Sequence, residues 1–257
     1  MLTVSYHING GLSSDRDHFS FIQQSDRFLK DSLAFSREIC YIDTKGCDHM
    51  AVNNYEVWRE DWRKRFLSMD KDALLKKLPF LRLEDGKIIL DYFGERCGLR
   101  LSDGTIQCRE PLSLNDELNI YTMLWYAKEG AALTGEWVSF PQLKDASTFD
   151  AAFRKGNLAP IAATFTGHME ELEQALIAYG GKKLPHGDVG YEIQPFCCIP
   201  MRVLFWEGDD EFPAQANLLF DRSATDFIHV ESIVTIASEG LKHLAKKAGL
   251  PIKGHGF

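Results

Sequence analysis

Hydrophobic residues recur every three or four positions in NNYEVWREDWRKRFLSM, where Tyr55, Trp58, Trp62, Phe66 and Met69 share one side of a helix and charged residues fill the other. An aromatic stripe of this kind predicts burial in a core rather than a stacking platform. Near residue 80 the period changes. LRLEDGKIILDY and LRLSDGTIQC alternate apolar and polar positions around Asp85-Gly86 and Asp103-Gly104. Asp-Gly between such runs signals a hairpin because both residues tolerate positive φ. The pattern predicts a four-strand antiparallel meander over about 80–109. Ser113 then caps a helix expected to carry Leu114, Leu118, Tyr121 and Trp125 on one face and to close near Gly130. GEWVSFPQL reads as extended, and Ser147 as the cap of a brief helix bearing Phe149 and Phe153. Met169, Leu172, Leu176 and Tyr179 mark a helix stopped by the glycines at 180 and 181.

VGYEIQPF, MRVLFWEG and ANLLFD follow as strands. Both alternate sets are apolar in MRVLFWEG, which predicts a strand covered on both faces. Phe227, Val230, Val234, Ala237, Leu241, Leu244 and Ala248 alternate by three and four, predicting one long helix over about 224–247. Ser223, Thr225 and Asp226 are its capping candidates. Phe21, Phe28 and Phe35, seven apart, suggest a further helix within 14–38. The order of elements predicts an α+β fold: one domain over 55–257, in which an antiparallel β-meander and a second set of strands are packed by helices, after an N-terminal helical extension over 1–54.

Composition narrows the function classes. The chain has 257 residues, 45% hydrophobic and 26% charged, which is the make-up of a globular protein. Its net charge is −8, and its densest basic stretch, WREDWRKRF, is interleaved with acids. Nucleic-acid affinity rests on clustered cations that release counterions, so nucleic acid is not the expected partner. MLTVSYHINGG has neither the basic nor the apolar region of a signal peptide, and no apolar run reaches the ~18 residues needed to span a bilayer. The expectation is a cytoplasmic protein without a membrane partner, its six cysteines reduced.

Local motifs offer little established chemistry. GxSxG, HExxH, GxxxxGK[ST] and GxGxxG are absent from the sequence. Gly180-Gly181-Lys182-Lys183 follows a helix instead of preceding one and so presents carbonyls where a phosphate site needs amides. Cys40, Cys47 and His49 are three potential zinc ligands without an evident fourth, so no bound metal is expected. Cys197 and Cys198, adjacent at an apolar strand edge, read as buried hydrophobes. LPHGDVGYEI offers His186 and Asp188 in a glycine-bearing loop. WEGDDEFP concentrates Glu207, Asp209, Asp210 and Glu211 between Trp206 and Phe212, and four carboxylates this close repel unless solvated, paired or bound to a cation. Asp221 ends the next strand, and Glu231 lies at the edge of the last apolar stripe, where a buried carboxylate needs a partner.

GEWVSFPQL, FDAAF, LFWEGDDEFPAQANLLFD and the helix with Glu231 together resemble an uncharacterised family of mainly anaerobic bacteria and archaea, a domain of unknown function. The likeness covers about 55–247 and is most specific in W-x-G-D-x-E-F-P followed by L-F-D. Some relatives are linked to iron–sulfur modules of corrinoid and one-carbon metabolism, so the resemblance implies an accessory or ligand-binding role in anaerobic cofactor chemistry. It implies no catalytic residues and assigns no cofactor, and this chain lacks the cysteine spacing for a cluster of its own. The leading expectation is therefore a protein that binds a small molecule or a protein partner through Trp206, Asp209, Glu211, Asp221, His186 and Asp188. One alternative is a divalent-cation-dependent enzyme that uses Asp209, Glu211, Asp188 and His186. The other is a purely structural acidic cluster paired with Arg202 or Arg222.

Overall fold

The computed structural model describes residues 48–254, with side chains from residue 56 onward. The expected helix over 14–38 and the Cys40, Cys47 and His49 cluster lie outside the described side chains. Helix α1 (Asp48–Ser68) buries Trp62 and Phe66, as its stripe predicts. Asp70 caps α2 (Lys71–Lys77) by accepting from the amides of Asp72 and Ala73.

The first sheet is the expected meander, β1 (Arg82–Glu84), β2 (Lys87–Tyr92), β3 (Glu95–Arg100) and β4 (Ile106–Gln107), in sequential antiparallel order. Asp85 and Gly86 join β1 to β2 with φ of 48° and 70°, the two positive values of a type I′ turn. Phe93 and Gly94 join β2 to β3 in the same way, with φ of 45° and 75°. A phenylalanine at positive φ is strained, and its surroundings hold it there: its N–H donates to Pro195 O at 2.9 Å, and its ring meets Tyr92 edge-on at 4.9 Å. The expectation of six reduced thiols fails at this sheet. Register pairs Gly98 with Gln107, so the next position outward sets Cys97 against Cys108, and they form a disulfide with Cα atoms 4.5 Å apart. That separation is the one an antiparallel ladder gives its non-hydrogen-bonded pairs.

Helix α3 (Leu114–Tyr126) begins with a capping box between Ser113 and Asp116. It stops at Tyr126 instead of near Gly130, and its buried residues (Asp116, Asn119, Ile120, Met123 and Leu124 among them) wrap well beyond the expected face. Strand β5 (Trp137–Ser139) leads through short 3₁₀ turns to α4 (Asp150–Phe153), a π turn over Arg154–Leu158, and α5 (Ala159–Phe165). Ser147 lies inside one of those 3₁₀ turns and makes no cap, a correction to the sequence reading. Helix α6 (Met169–Ala178) ends at Gly180, φ +72°, as expected, and runs into the two-residue edge strand β6 (Lys182–Lys183).

Strands β7 (Val189–Phe196), β8 (Ile199–Trp206) and β9 (Gln215–Asp221) complete a second antiparallel sheet in the order β5-β9-β8-β7-β6. On its inner face Tyr191, Val203 and Leu218 lie in one row and Ile193, Met201 and Phe220 in the next, all buried. The outer face of β8 carries Arg202, Leu204 and Trp206. Leu204 is buried while Trp206 is exposed, so the covering of both faces holds only in part. The long C-terminal helix is broken: α7 (Ala224–Phe227) ends at an extended Ile228, and α8 (Val230–Ala248) starts after His229, whose side chain accepts from the Glu231 amide. Ser223 stands at the N-cap of α7 without a side-chain cap bond, and His229, not Thr225 or Asp226, caps α8. Helix α8 crosses the inner face of the second sheet at Gly240, where an added Cβ would lie 3.2 Å from Met201 Cε and 3.4 Å from the Phe93 ring. One continuous apolar core joins both sheets to α3, α6 and α8. Among the described residues no helix is long and apolar enough to cross a membrane.

Candidate functional site

The acidic stretch forms the loop between β8 and β9. Asp209 N donates to Phe212 O at 2.8 Å, and Asp209 Oδ1 accepts from the amides of Glu211 and Phe212 at 2.8 and 2.7 Å. Those two donors hold the Asp209 carboxyl below its usual range. Gly208 sits under the turn: a Cβ there would fall 2.6 Å from Ala214 N and 2.9 Å from Phe212 O, so the loop can close only over glycine. Glu207 Oε2 accepts from Gly167 N at 3.0 Å, and Asp188 Oδ2 accepts from Glu207 N at 2.8 Å. Backbone amides, rather than arginines, therefore absorb much of the repulsion. Arg202 pairs instead with Glu192 at 3.1 Å and lies 3.7 Å over the Trp137 ring, while Arg222 grips Glu136 with two bonds of 2.6 Å. The expected pairing of the acidic loop with Arg202 or Arg222 is not what these arginines do.

This folding leaves Trp206 38% and Phe212 63% exposed. With Glu207, Pro213 and Gln215 they line a shallow, open depression of about 270 Å³. The structure brings Asp188, Trp206, Asp209 and Glu211 to this end of the second sheet, with His186 two residues from Asp188 on the exposed loop that leads into β7. Asp221 is elsewhere. It closes the opposite end of β9, about 20 Å along the strand. Its Oδ1 accepts from Thr134 N, Thr134 Oγ1, Ser223 N and Ser223 Oγ at 2.6–3.0 Å, and its Oδ2 accepts from Gly135 N at 2.6 Å. Burial pushes this carboxyl up, but the bonds from Ser223 and Thr134 outweigh it and hold it at about 2. Glu231, also largely buried, has His229 Nδ1 3.6 Å from its Oε2. Among the described residues no three His, Cys, Asp or Glu side chains converge as a group that could hold a metal ion.

A second constellation has no local sequence signature. Asp116 Oδ1 accepts from Tyr92 Oη at 2.8 Å and lies 3.1 Å from His243 Nε2, while Asp116 Oδ2 accepts from Ser113 N. Asn119 Nδ2 donates to Tyr92 Oη, and Asn119 Oδ1 accepts from Thr235 Oγ1 at 2.5 Å. Beside them the buried Glu239 accepts from Ser113 Oγ, Asn115 Nδ2 and Lys242 Nζ. Burial raises the Asp116 carboxyl, yet the bond to His243, its charge, and the bond from Tyr92 together leave it below its ordinary value. Burial and the neighbouring Asp116 charge push the Tyr92 phenol well above its own. The chain of bonds ties β2, α3 and α8 together. Its half-exposed end, His243, is ringed by Tyr92, Phe93 and Tyr179, with centroids 4.8–6.3 Å away.

Residues 73–242 match the family model described as "Domain of unknown function (DUF3786)". The chain belongs to this family. The DUF3786 match runs from α2 into α8 and so takes in both sheets, the Trp206 depression and Asp116, stopping one residue short of His243. Neither the curated proteins nor the solved structures contain a significant match to the chain.

Proposed function

We propose that this chain is a binding protein whose depression beside Trp206 accepts a cationic group, carried by a small molecule or by a protein partner. The observation that carries the reading is the pairing of two exposed aromatic side chains with an acidic rim. Trp206 and Phe212 offer ring faces that attract a cation by about 0.5–2 kcal/mol, Glu207 lines the depression with them, and Asp209, Asp210 and Glu211 in the same loop, with Asp188 bonded to Glu207 N, add negative charge nearby. Among these acids, Asp209 and Asp188 also hold the loop in shape, so a structural and a binding role coexist in the same carboxylates. The family resemblance supports the setting, that of a cytoplasmic accessory protein in anaerobic cofactor or one-carbon metabolism.

Hexalysine serves as the probe. Titration is expected to give a saturable change in tryptophan emission that weakens as salt rises from about 50 to about 500 mM. Trp206→Ala and Phe212→Ala should each weaken binding about tenfold with little change in melting temperature. Hexalysine binding that survives both substitutions would show that the depression is not the site.

The domain organisation belongs to the same proposal: residues 55–257 fold as one unit, and 1–54 are an extension to it. Limited proteolysis should leave one resistant core whose new N-terminus lies near residue 55. Two stable fragments divided near residue 135 would contradict it.

A further inference from the structure

We propose that Cys197 and Cys198 form a thiol–disulfide exchange site at the tip of the β7–β8 hairpin, with Cys197 as the attacking thiol and Cys198 as the resolving thiol, acting on small disulfides. The two cysteines alone make the turn. Phe196 pairs with Ile199, both of these are buried, and the register shifts between Ile193 and Phe196, just before them. Cys197 is exposed and Cys198 is buried, so a reagent from solvent meets one sulfur first. The second thiol belongs to the adjacent residue, on the buried side of the same two-residue turn. The interaction between the two thiols lowers Cys197, against partial burial and the charge of Asp91, and together with burial it raises Cys198. An accessible thiol with thiolate character beside a resolving partner is the arrangement that reactive cysteines share.

The chemistry balances without a further oxidant. The Cys197 thiolate attacks one sulfur of a disulfide RS–SR, forming Cys197–S–SR and releasing RS⁻. Cys198 then attacks the Cys197 sulfur, forming the Cys197–Cys198 disulfide and releasing a second RS⁻, and its proton passes to the departing thiolate. Two protein thiols are oxidised and one small disulfide is reduced. Neighbouring Cα atoms are about 3.8 Å apart across a trans peptide, short of the roughly 4.4–6.8 Å that disulfides favour. The ring formed is therefore strained and easily reopened, which suits reversible exchange rather than stapling. A turn outside the hydrogen-bond ladder is where the backbone can accommodate it. The Cys97–Cys108 bond, by contrast, links two strands and is buried at Cys97.

The test uses 5,5′-dithiobis(2-nitrobenzoate) on the full chain carrying Cys40→Ser and Cys47→Ser, with peptide mapping by mass. The parent should release two equivalents of thionitrobenzoate, retain none, and lose two hydrogens from the 197–198 peptide. Cys198→Ser should release one equivalent and keep one as an adduct on Cys197. Cys197→Ser should react at least about tenfold more slowly, because its remaining thiol is buried. Cys198→Ala replaces the serine variant if that one does not fold. A parent chain that keeps its adduct on Cys197, or a Cys197→Ser chain that reacts as fast as the parent, overturns the proposal.

Discussion

Replacing Asp221 with alanine is expected to destabilise the fold by about 3–5 kcal/mol, a large share of the stability of a domain this size. The carboxylate receives five hydrogen bonds from Thr134, Gly135 and Ser223 while almost completely buried. Each donor left stranded costs about 1–3 kcal/mol, and the sum is reduced because the Thr134 loop can partly turn to water. Asparagine keeps an oxygen where Oδ1 stands but sets an amide N–H against Gly135 N–H, for a loss of about 2 kcal/mol. The pH dependence has a defined sign. A carboxyl held at about 2 in the fold and near 3.8 when unfolded gives stability that is fully present above pH ~4 and is lost as pH falls toward 2. That difference amounts to about 2 kcal/mol. Urea denaturation of the parent and Asp221→Asn chains from pH 7 down to 3 should show the gap between them narrowing below pH 4. A gap that stays constant would mean that the carboxylate is not held ionised by these bonds.

The second large effect lies at Asp116. Asp116→Ala removes the Asp116 half of the capping box and strands Tyr92 Oη, Ser113 N and the facing nitrogen of His243, for an expected loss of about 3–4 kcal/mol. Tyr92→Phe should cost only about 1–2 kcal/mol, because Asp116 keeps its other donors. The double variant should fall short of the sum by more than about 0.5 kcal/mol, since both residues belong to one network. Additive losses would separate Tyr92 from Asp116 energetically. Because the Asp116 carboxyl is held below its ordinary value, its contribution too is present above pH ~4 and fades in acid as the carboxyl takes up its proton.

Much of the architecture is written locally. The Asp85-Gly86 turn, the Ser113 cap, the Gly180 stop and the three strands after residue 188 follow from residue types whose backbone preferences act over a few positions. What escaped sequence reading depends on distant partners. Phe93 adopts positive φ because Pro195, about a hundred residues away, accepts its N–H. Cys97 and Cys108 become neighbours only when the β3–β4 register is fixed. The break at Ile228 is masked because apolar spacing runs through it, and His229 is not among the residues that usually announce a helix start. The acidic loop and Trp206 were legible as a candidate site because they are contiguous. The Tyr92, Asp116 and His243 chain was not, since its members are contributed by a strand and two helices far apart in sequence. Asp221 was read as a ligand-binding residue and not as a clasp, because Thr134 and Gly135 give no sign of needing one.

The pairing of β5 with β9 has a consequence for synthesis of the chain. Trp137, Val138 and Ser139 find their partners in Asp221, Phe220 and Leu219, some eighty residues downstream. At about 5–20 residues per second, a ribosome takes roughly 4–16 s to deliver them. Throughout that interval the meander, built from local hairpins, can already be folded, while β5, an edge strand of the second sheet, waits without its neighbour. Its length of three residues keeps that edge too short to recruit a strand from a neighbouring nascent chain. The arrival of Asp221 then closes the Thr134–Gly135 loop and gives β5 its partner, leaving α8 to complete the core.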